Sequence, residues 1–131
     1  MPLDYSQYVP DWIKEFQRCE KWLEDALEYS HGMFTIQDVF EDVMNGNAQL
    51  WPGKNSAIVT QIVNYPRKKA IHVFLAGGDL EEIKSMEPHV VEYGKSQGCE
   101  VITLTGRPGW TRTFLTKIGY KNTQVQILKE I

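Results

Sequence analysis

A glycine pair, Gly77-Gly78, ends an apolar run and is followed at once by acidic residues. If the run is a strand and a helix begins after the pair, the first N–H groups of that helix could hold a phosphate. Asp79, Glu81 and Glu82 oppose this chemistry, because a carboxylate about 6 Å from a phosphate costs roughly 0.7 kcal/mol in water and nearer 3 kcal/mol at an effective dielectric constant of about 20. Asp79 and Glu82 also have the spacing of a capping box. The pattern favours a capped strand-to-helix turn and leaves the phosphate site open as the alternative.

Two titratable side chains lie in or beside the predicted central strands. His72 stands between Ile71 and Val73, and a histidine with an ordinary pKa of about 6.5 suits a general base. Glu100 enters the next strand and is a second candidate base. The alternative interpretations are a hydrogen-bonded core histidine and a solvated surface glutamate.

The segment GRPGWTR, residues 106–112, combines turn formers with side chains that bind ligands well. Its glycines and proline favour a tight loop, which would bring Arg107, Trp110 and Arg112 close together. Arginine offers forked donors and tryptophan a large contact face, so the three could anchor a phosphate, a carboxylate or a protein partner. In the alternative, Trp110 fills the core and both arginines are solvated.

Hydrophobic periodicity and turn signals predict the elements that must position these residues. Apolar residues at helical spacing predict a helix over residues 10–30 and a second one from Thr35 to Met44. A third helix would kink near Glu87, because a proline inside a helix removes a hydrogen bond. The later helices are predicted over 79–97 and 110–118, and the strands over 49–51, 56–65, 70–76, 101–105 and 123–128.

The predicted strand at 70–76, the helix after it and the strand at 101–105 form a βαβ unit. Such a unit implies two parallel strands, with ligands usually bound beyond their carboxyl ends. The sequence therefore predicts an α/β protein with a candidate site at the Gly77-Gly78 turn.

Composition limits the classes of function. The 131 residues fit one domain, 1–131, and 42% hydrophobic with 24% charged residues is typical of a globular protein. The net charge of -3 disfavours general binding to nucleic acid or to anionic membranes. No apolar run reaches the roughly 20 residues that span a bilayer, and the amino terminus lacks signal-peptide features, so we expect a cytoplasmic location. Cys19 and Cys99 are expected to be reduced, buried thiols, and no metal is expected.

The element order resembles the GNAT fold of the acetyl-CoA-dependent N-acetyltransferases over roughly residues 10–131. The order is α-α-β-β-β-α-β-α-β, and the first strand of the family is not evident. The segment FLTKIGYKNTQVQILKE, residues 114–130, is similar to the fourth helix of that fold, its Gly-aromatic end and the next strand. More narrowly, LAGGDLEEI and GCEVITLTGRPGWTR resemble small GNAT-like proteins encoded by tailed phages and prophages. The predicted fold is thus a GNAT-like mixed sheet flanked by helices.

The resemblance implies a site for acetyl-CoA, whose pantetheine would lie between the 70–76 and 101–105 strands. The implied cofactor-binding residues are Leu75, Ala76, Gly77, Gly78, Arg107, Trp110 and Arg112, and the implied catalytic bases are His72 and Glu100. Two departures stand out. The family's Gln/Arg-x-x-Gly-x-Gly/Ala loop is reduced to Gly77, Gly78 and Asp79, and Leu115 holds the position of the tyrosine that reprotonates the thiolate of CoA.

Two functions are consistent with these residues. The first is an acetyl-CoA-dependent N-acyltransferase with a degenerate loop and weak or no activity. The second is a non-catalytic module on the same fold that binds a protein, either a phage structural protein or a second copy of the chain, in the host cytoplasm or in the virion. A nucleotide-linked regulatory domain is disfavoured, because no P-loop or Rossmann glycine pattern is present.

Overall fold

The computed structural model describes residues 10–106 and 108–131. The helices are α1 (Asp11–Leu27), α2 (Ile36–Met44) and α3 (Leu80–Ser96). The strands are β1 (Gln49–Pro52), β2 (Ser56–Asn64), β3 (Lys69–Gly78) and β4 (Val101–Leu104). Short 3₁₀ segments follow at Glu28–Ser30, Pro108–Arg112 and Phe114–Ile118. None of the helices in this part of the chain is long and apolar enough to cross a bilayer.

The four strands form one mixed sheet in the order β1-β2-β3-β4. The pairs β1/β2 and β2/β3 are antiparallel, and β3 and β4 are parallel, with Ala70 opposite Val101 and Val73 opposite Leu104. This arrangement confirms the predicted βαβ unit, with α3 as its crossover helix.

Helices cover both faces of the sheet, because β2 and β3 carry apolar residues that alternate between two cores. On one face α1 and α2 pack against Ala57, Val59 and Leu75. On the other face α3 packs against Ile58 and Ile71. The sequence predicted both helices of the first face, and α2 begins with the expected N-cap pair, in which Thr35 and Asp38 hydrogen-bond to each other's backbone.

A β-bulge interrupts the pairing of β2 with β3. Val59 lies opposite Leu75 and Thr60 opposite Val73, so Phe74 is an extra residue on β3. A bulge bends its strand and increases the local twist. The pairing of β4 with β3 stops at Val73, and residues 74–78 therefore have no described strand on that side.

Three local predictions were wrong. The helix α3 is continuous through Pro88, since Pro88 and Lys84 both lie on its exposed side and the carbonyl that the proline leaves unpaired can reach water. The last predicted helix is two 3₁₀ turns, because the Thr113 hydroxyl donates to the Trp110 carbonyl and accepts from the Leu115 amide, which divides the segment.

The third wrong prediction is the closing strand at 123–128. These residues have no regular secondary structure. Their alternation of β-branched and polar residues suits a strand, but a strand forms only beside an edge that pairs with it. In this structure the segment lies against no other strand.

The two cysteines are free thiols, as predicted. Cys19 is fully buried in the core under α1, and burial raises the pKa of its thiol. Cys99 is half-buried.

Candidate functional site

The turn between β3 and α3 is capped by its own aspartate. Asp79 Oδ1 accepts hydrogen bonds from the backbone N–H groups of Glu81 and Glu82, at 2.9 and 3.3 Å. The Asp79 amide donates to the carbonyl of Asn55 at 2.9 Å. The predicted capping box is therefore half present, because the Glu82 side chain does not return to the Asp79 amide.

Glu82 instead holds the turn between β1 and β2. Its Oε1 atom accepts from the Asn55 amide at 2.9 Å and also from the hydroxyl of Ser56. Ser56 is completely buried, so Glu82 supplies the partner that this hydroxyl needs. We refer to the β1–β2 turn, residues 53–55, and its contacts with Asp79 and Glu82 as the turn clasp.

Arg18 of α1 supports the same turn from the other side. Its guanidinium donates to the carbonyls of Gly53 and Lys54, at 2.7 and 3.0 Å, and pairs with Glu15 one helical turn away. The hydrogen bond with Glu15 is the main reason that the pKa of Arg18 is raised. The turn clasp is thus fixed by α1 as well as by α3.

Close packing explains why the residues before α3 are glycines. A Cβ atom on Gly77 would lie 2.4 Å from the carbonyl oxygen of Trp22 on α1. Gly78 has a φ of +103°, and a Cβ atom there would lie 2.3 Å from the carbonyl oxygen of Asn55. The pair lets helix and turn approach the end of β3, which is a structural requirement independent of any ligand.

His72 is hydrogen-bonded through both ring nitrogens. Nδ1 lies 2.7 Å from the hydroxyl of Thr103, and Nε2 lies 3.1 Å from the hydroxyl of Thr105. In neutral imidazole one nitrogen donates and the other accepts, and threonine hydroxyls can serve both. A role as general base would require one hydroxyl to move away and free a nitrogen for the substrate.

The charge state of His72 should affect stability below neutral pH. Burial lowers the pKa of His72 from its ordinary value of about 6.5, so the unfolded chain binds a proton at this residue before the folded chain does. We expect the free energy of unfolding to fall as the pH drops below about 6.5, and His72→Gln to remove part of that fall. Urea unfolding from pH 7 to pH 5 measures it. His89→Gln, on the exposed surface of α3, is the control, and equal pH profiles for both variants would contradict the expectation.

The other predicted site residues do not converge on His72. Glu100 is exposed and lies just before β4, where its amide donates to the Lys69 carbonyl at 2.8 Å. It is three residues before Thr103 in extended chain and thus about 10 Å from the histidine's partner. Arg112 is exposed, and Arg107 lies outside the described residues.

Trp110 is half-buried against the core under α3, and its ring packs on Gly106. A Cβ atom added to Gly106 would lie 2.7 Å from Cδ1 of Trp110. Leu75 is buried in the core under α1, whereas Ala76 lines a small cavity together with Trp110. These contacts are those of packed core residues.

That cavity holds a polar pair that the sequence analysis missed. The cavity has a volume of about 20 Å³, enough for roughly one water molecule, and it lies between α3, β4 and the 3₁₀ segments. Within its mainly apolar lining, the Tyr120 hydroxyl donates to Glu87 Oε1 at 3.3 Å. Burial, and then the Glu87 carboxylate, raise the pKa of Tyr120. The signal was present in the sequence, since Glu87 interrupts the apolar stripe of α3 between Ile83 and Val90.

Solved structures of similar shape include three that are described as acetyltransferases, two of which superpose with TM-scores above 0.6. The aminoglycoside N-acetyltransferase AAC(6')-Iy, in complex with CoA, superposes with a TM-score of 0.64 at 10% identity, over 90% of this chain and 87% of its own. A GNAT family acetyltransferase from Staphylococcus aureus gives 0.61 at 14% identity, over 92% of both chains. The chain has the GNAT fold.

A solved structure with a different description is also similar in shape to the chain. A transcriptional regulator from Bacillus halodurans C-125 superposes with a TM-score of 0.65 at 15% identity, over 89% of this chain and 93% of its own. No protein-family model and no curated protein matches the sequence. The similarity is therefore one of fold, which hosts more than one function.

Beyond Val73 the edge of β3 that faces β4 is unpaired among the described residues, next to the turn between β3 and α3. Within residues 10–106 and 108–131, no three His, Cys, Asp or Glu side chains are grouped to hold a metal ion.

Proposed function

We propose that this chain is a GNAT-fold protein with a degenerate cofactor loop and weak or no acyltransferase activity. The observation that carries the proposal is that Asp79 Oδ1 already accepts the Glu81 and Glu82 amides, the groups at a helix start that would otherwise bind a phosphate. The side chains of Asp79, Glu81 and Glu82 add negative charge at the same place. The pyrophosphate of CoA does not fit this turn.

Calorimetric titration with CoA and acetyl-CoA at millimolar concentration tests the proposal. We expect no saturable binding by the natural chain. Asp79→Gly frees both amides and removes one charge while weakening the cap by only a few tenths of a kcal/mol, so it should bind CoA measurably, with an affinity at least about tenfold above that of the natural chain. Micromolar binding by the natural chain, or equally weak binding by both, would contradict a loop closed by its own carboxylate.

The second candidate function is an active acetyl-CoA-dependent N-acyltransferase. The end of the β3/β4 pairing at Val73 favours it, because residues 74–78 leave one edge of β3 unpaired at the position where the resemblance places pantetheine. Turnover of acetyl-CoA with a panel of amines, detected as released thiol, would support this candidate. His72→Gln would then distinguish a catalytic histidine from a structural one. If His72 is catalytic, the substitution abolishes turnover while the protein remains folded.

We further propose that the chain is encoded by a tailed phage or a prophage and contacts a protein partner. The resemblance of the segments at residues 75–83 and 98–112 to phage-encoded proteins supports this origin. Capsid, portal or tail genes beside its gene would agree with it, and copurification with virions would identify the location. Metabolic genes on both sides would count against it.

A further inference from the structure

The segment from Pro108 to Tyr120, which we call the strap, is attached to the rest of the fold through its side chains. Among the residues that the structure describes, its backbone hydrogen bonds are internal, from Thr113 to Trp110 and from Tyr120 to Leu115. Its two 3₁₀ turns are short, and 3₁₀ hydrogen bonds have poorer geometry than those of an α-helix. A segment held in this way can detach without breaking the backbone pairing of the sheet.

Two polar contacts join the strap to α3 in the described part of the chain. The Tyr120 hydroxyl donates to Glu87 Oε1 at 3.3 Å, and the Lys84 ammonium lies 5.9 Å from the centre of the Phe114 ring. Lys84 and Glu87 are three residues apart on the helix, so the strap lies along one face of α3. Lys84 is exposed, and a cation–π contact in water contributes little. The stronger polar contact is therefore the hydrogen bond between Glu87 and Tyr120.

The inner face of the strap is apolar and closes the cavity described above. Trp110, Phe114 and Leu115 line the cavity from the strap, and Ala76 and Leu104 line it from the sheet. Side chains beside a void lose contacts that they would make in a filled core. The cavity of about 20 Å³ therefore weakens the packing of the strap on the sheet.

The strap covers a part of β3 that has no neighbour on one side. The pairing of β4 with β3 stops at Val73, and residues 74–78 are unpaired on that side among the described residues. Ala76 belongs to this unpaired stretch, and it lines the same cavity as Trp110. Detachment of the strap would thus expose apolar side chains next to unpaired backbone groups.

We propose that the strap is a cover that opens and closes as a unit, and that the hydrogen bond between Glu87 and Tyr120 is its latch. The structure shows the closed form, in which the strap shields the apolar surface beside residues 74–78. In the open form this surface meets solvent. Burial raises the pKa of Tyr120, so its hydroxyl keeps the proton that the latch needs at neutral pH. The cover works whether or not CoA binds at the turn between β3 and α3.

Native-state hydrogen exchange of the full chain tests the latch. Tyr120→Phe removes the hydroxyl and keeps the ring, so it should speed the exchange of the strap amides by about tenfold or more. The amides of β2 and β3 should exchange as in the natural chain. Glu87→Ala should speed the strap as well, and the double variant should exchange no faster than Glu87→Ala alone, because the two residues share one contact.

The matched control is Tyr93→Phe, which removes a hydroxyl from another half-buried tyrosine. Tyr93 lies on α3, and its ring packs edge-on against Trp51, away from the strap. The control should leave the exchange of the strap unchanged. Circular dichroism should show that all these variants remain folded.

Several results would overturn the latch. Equal acceleration in the strap, β2 and β3 would mean that Tyr120→Phe destabilises the whole fold. Acceleration confined to the amides beside Tyr120 would indicate fraying of the chain and not the opening of a unit. Strap amides that exchange as fast as a free peptide in the natural chain would show that no closed form exists. Strap rates that Tyr120→Phe does not change, that Tyr93→Phe changes equally, or that respond additively in the double variant would contradict the assigned contact.

Discussion

Glu82→Ala is expected to lower the free energy of unfolding by about 3 kcal/mol. The substitution removes the carboxylate that accepts from the Asn55 amide and from the hydroxyl of Ser56, which is completely buried. Hydrogen bonds to charged groups contribute about 1.5 to 3 kcal/mol each. The buried Ser56 hydroxyl would keep only the Met86 sulfur, a weak acceptor at 3.5 Å, which adds a further penalty. Urea unfolding followed by circular dichroism measures the change.

The neighbouring residue provides a control for Glu82. Glu81→Ala removes an exposed carboxylate from the same first turn of α3. It therefore weakens the favourable interaction of that charge with the helix dipole and leaves the turn clasp intact. We expect it to change stability by less than about 1 kcal/mol. Glu82→Gln should fall between the two, since an amide oxygen still accepts hydrogen bonds. Equal unfolding midpoints for Glu82→Ala and Glu81→Ala would show that the clasp does not stabilise the fold.

Gly77→Ala is expected to cost about 3 kcal/mol of stability or more. The added methyl group would lie 2.4 Å from the Trp22 carbonyl oxygen and 3.0 Å from its carbonyl carbon, and both are backbone atoms that cannot rotate away. Relief would require α1 to move off β3, which loosens the core under that helix. A lower urea midpoint with an unchanged slope would be the expected result.

Gly98→Ala separates this contact from the conformational effect of removing a glycine. Gly98 has a φ of +81°, and a Cβ atom there meets nothing within 4 Å. Its substitution carries only the strain of a left-handed residue, about 1 kcal/mol. If Gly77→Ala were no more destabilising than Gly98→Ala, the close approach of α1 would not explain the glycine pair.

The elements set by local pattern were predictable. The buried stripe of α1, at Phe16, Cys19 and Leu23, follows from helical spacing, and the N-cap of α2 follows from Thr35 and Asp38. The parallel pair of β3 and β4 follows from two apolar strands with a helix between them.

The contacts made at long range were not predictable. Glu82 has the spacing of a capping residue, and its real partners, Asn55 and Ser56, lie 27 and 26 residues away. Their meeting depends on how the β1–β2 turn docks on α3, which no local pattern encodes. The strand predicted at residues 123–128 was wrong for a related reason. Alternating apolar and polar residues specify the two faces of a strand, but they do not specify which sheet edge pairs with it.

The turn clasp sets a trade-off for the evolution of this fold. Of the carboxylates that we propose close the start of α3 to an anion, Asp79 caps the helix, and Glu82 holds the β1–β2 turn and accepts from a buried hydroxyl. A lineage that acquired phosphate binding here by replacing Glu82 or Asp79 would first lose stability, and it would need compensating substitutions elsewhere. If the proposal holds, anion binding and stability at this turn are alternatives, and the present sequence has the stable one.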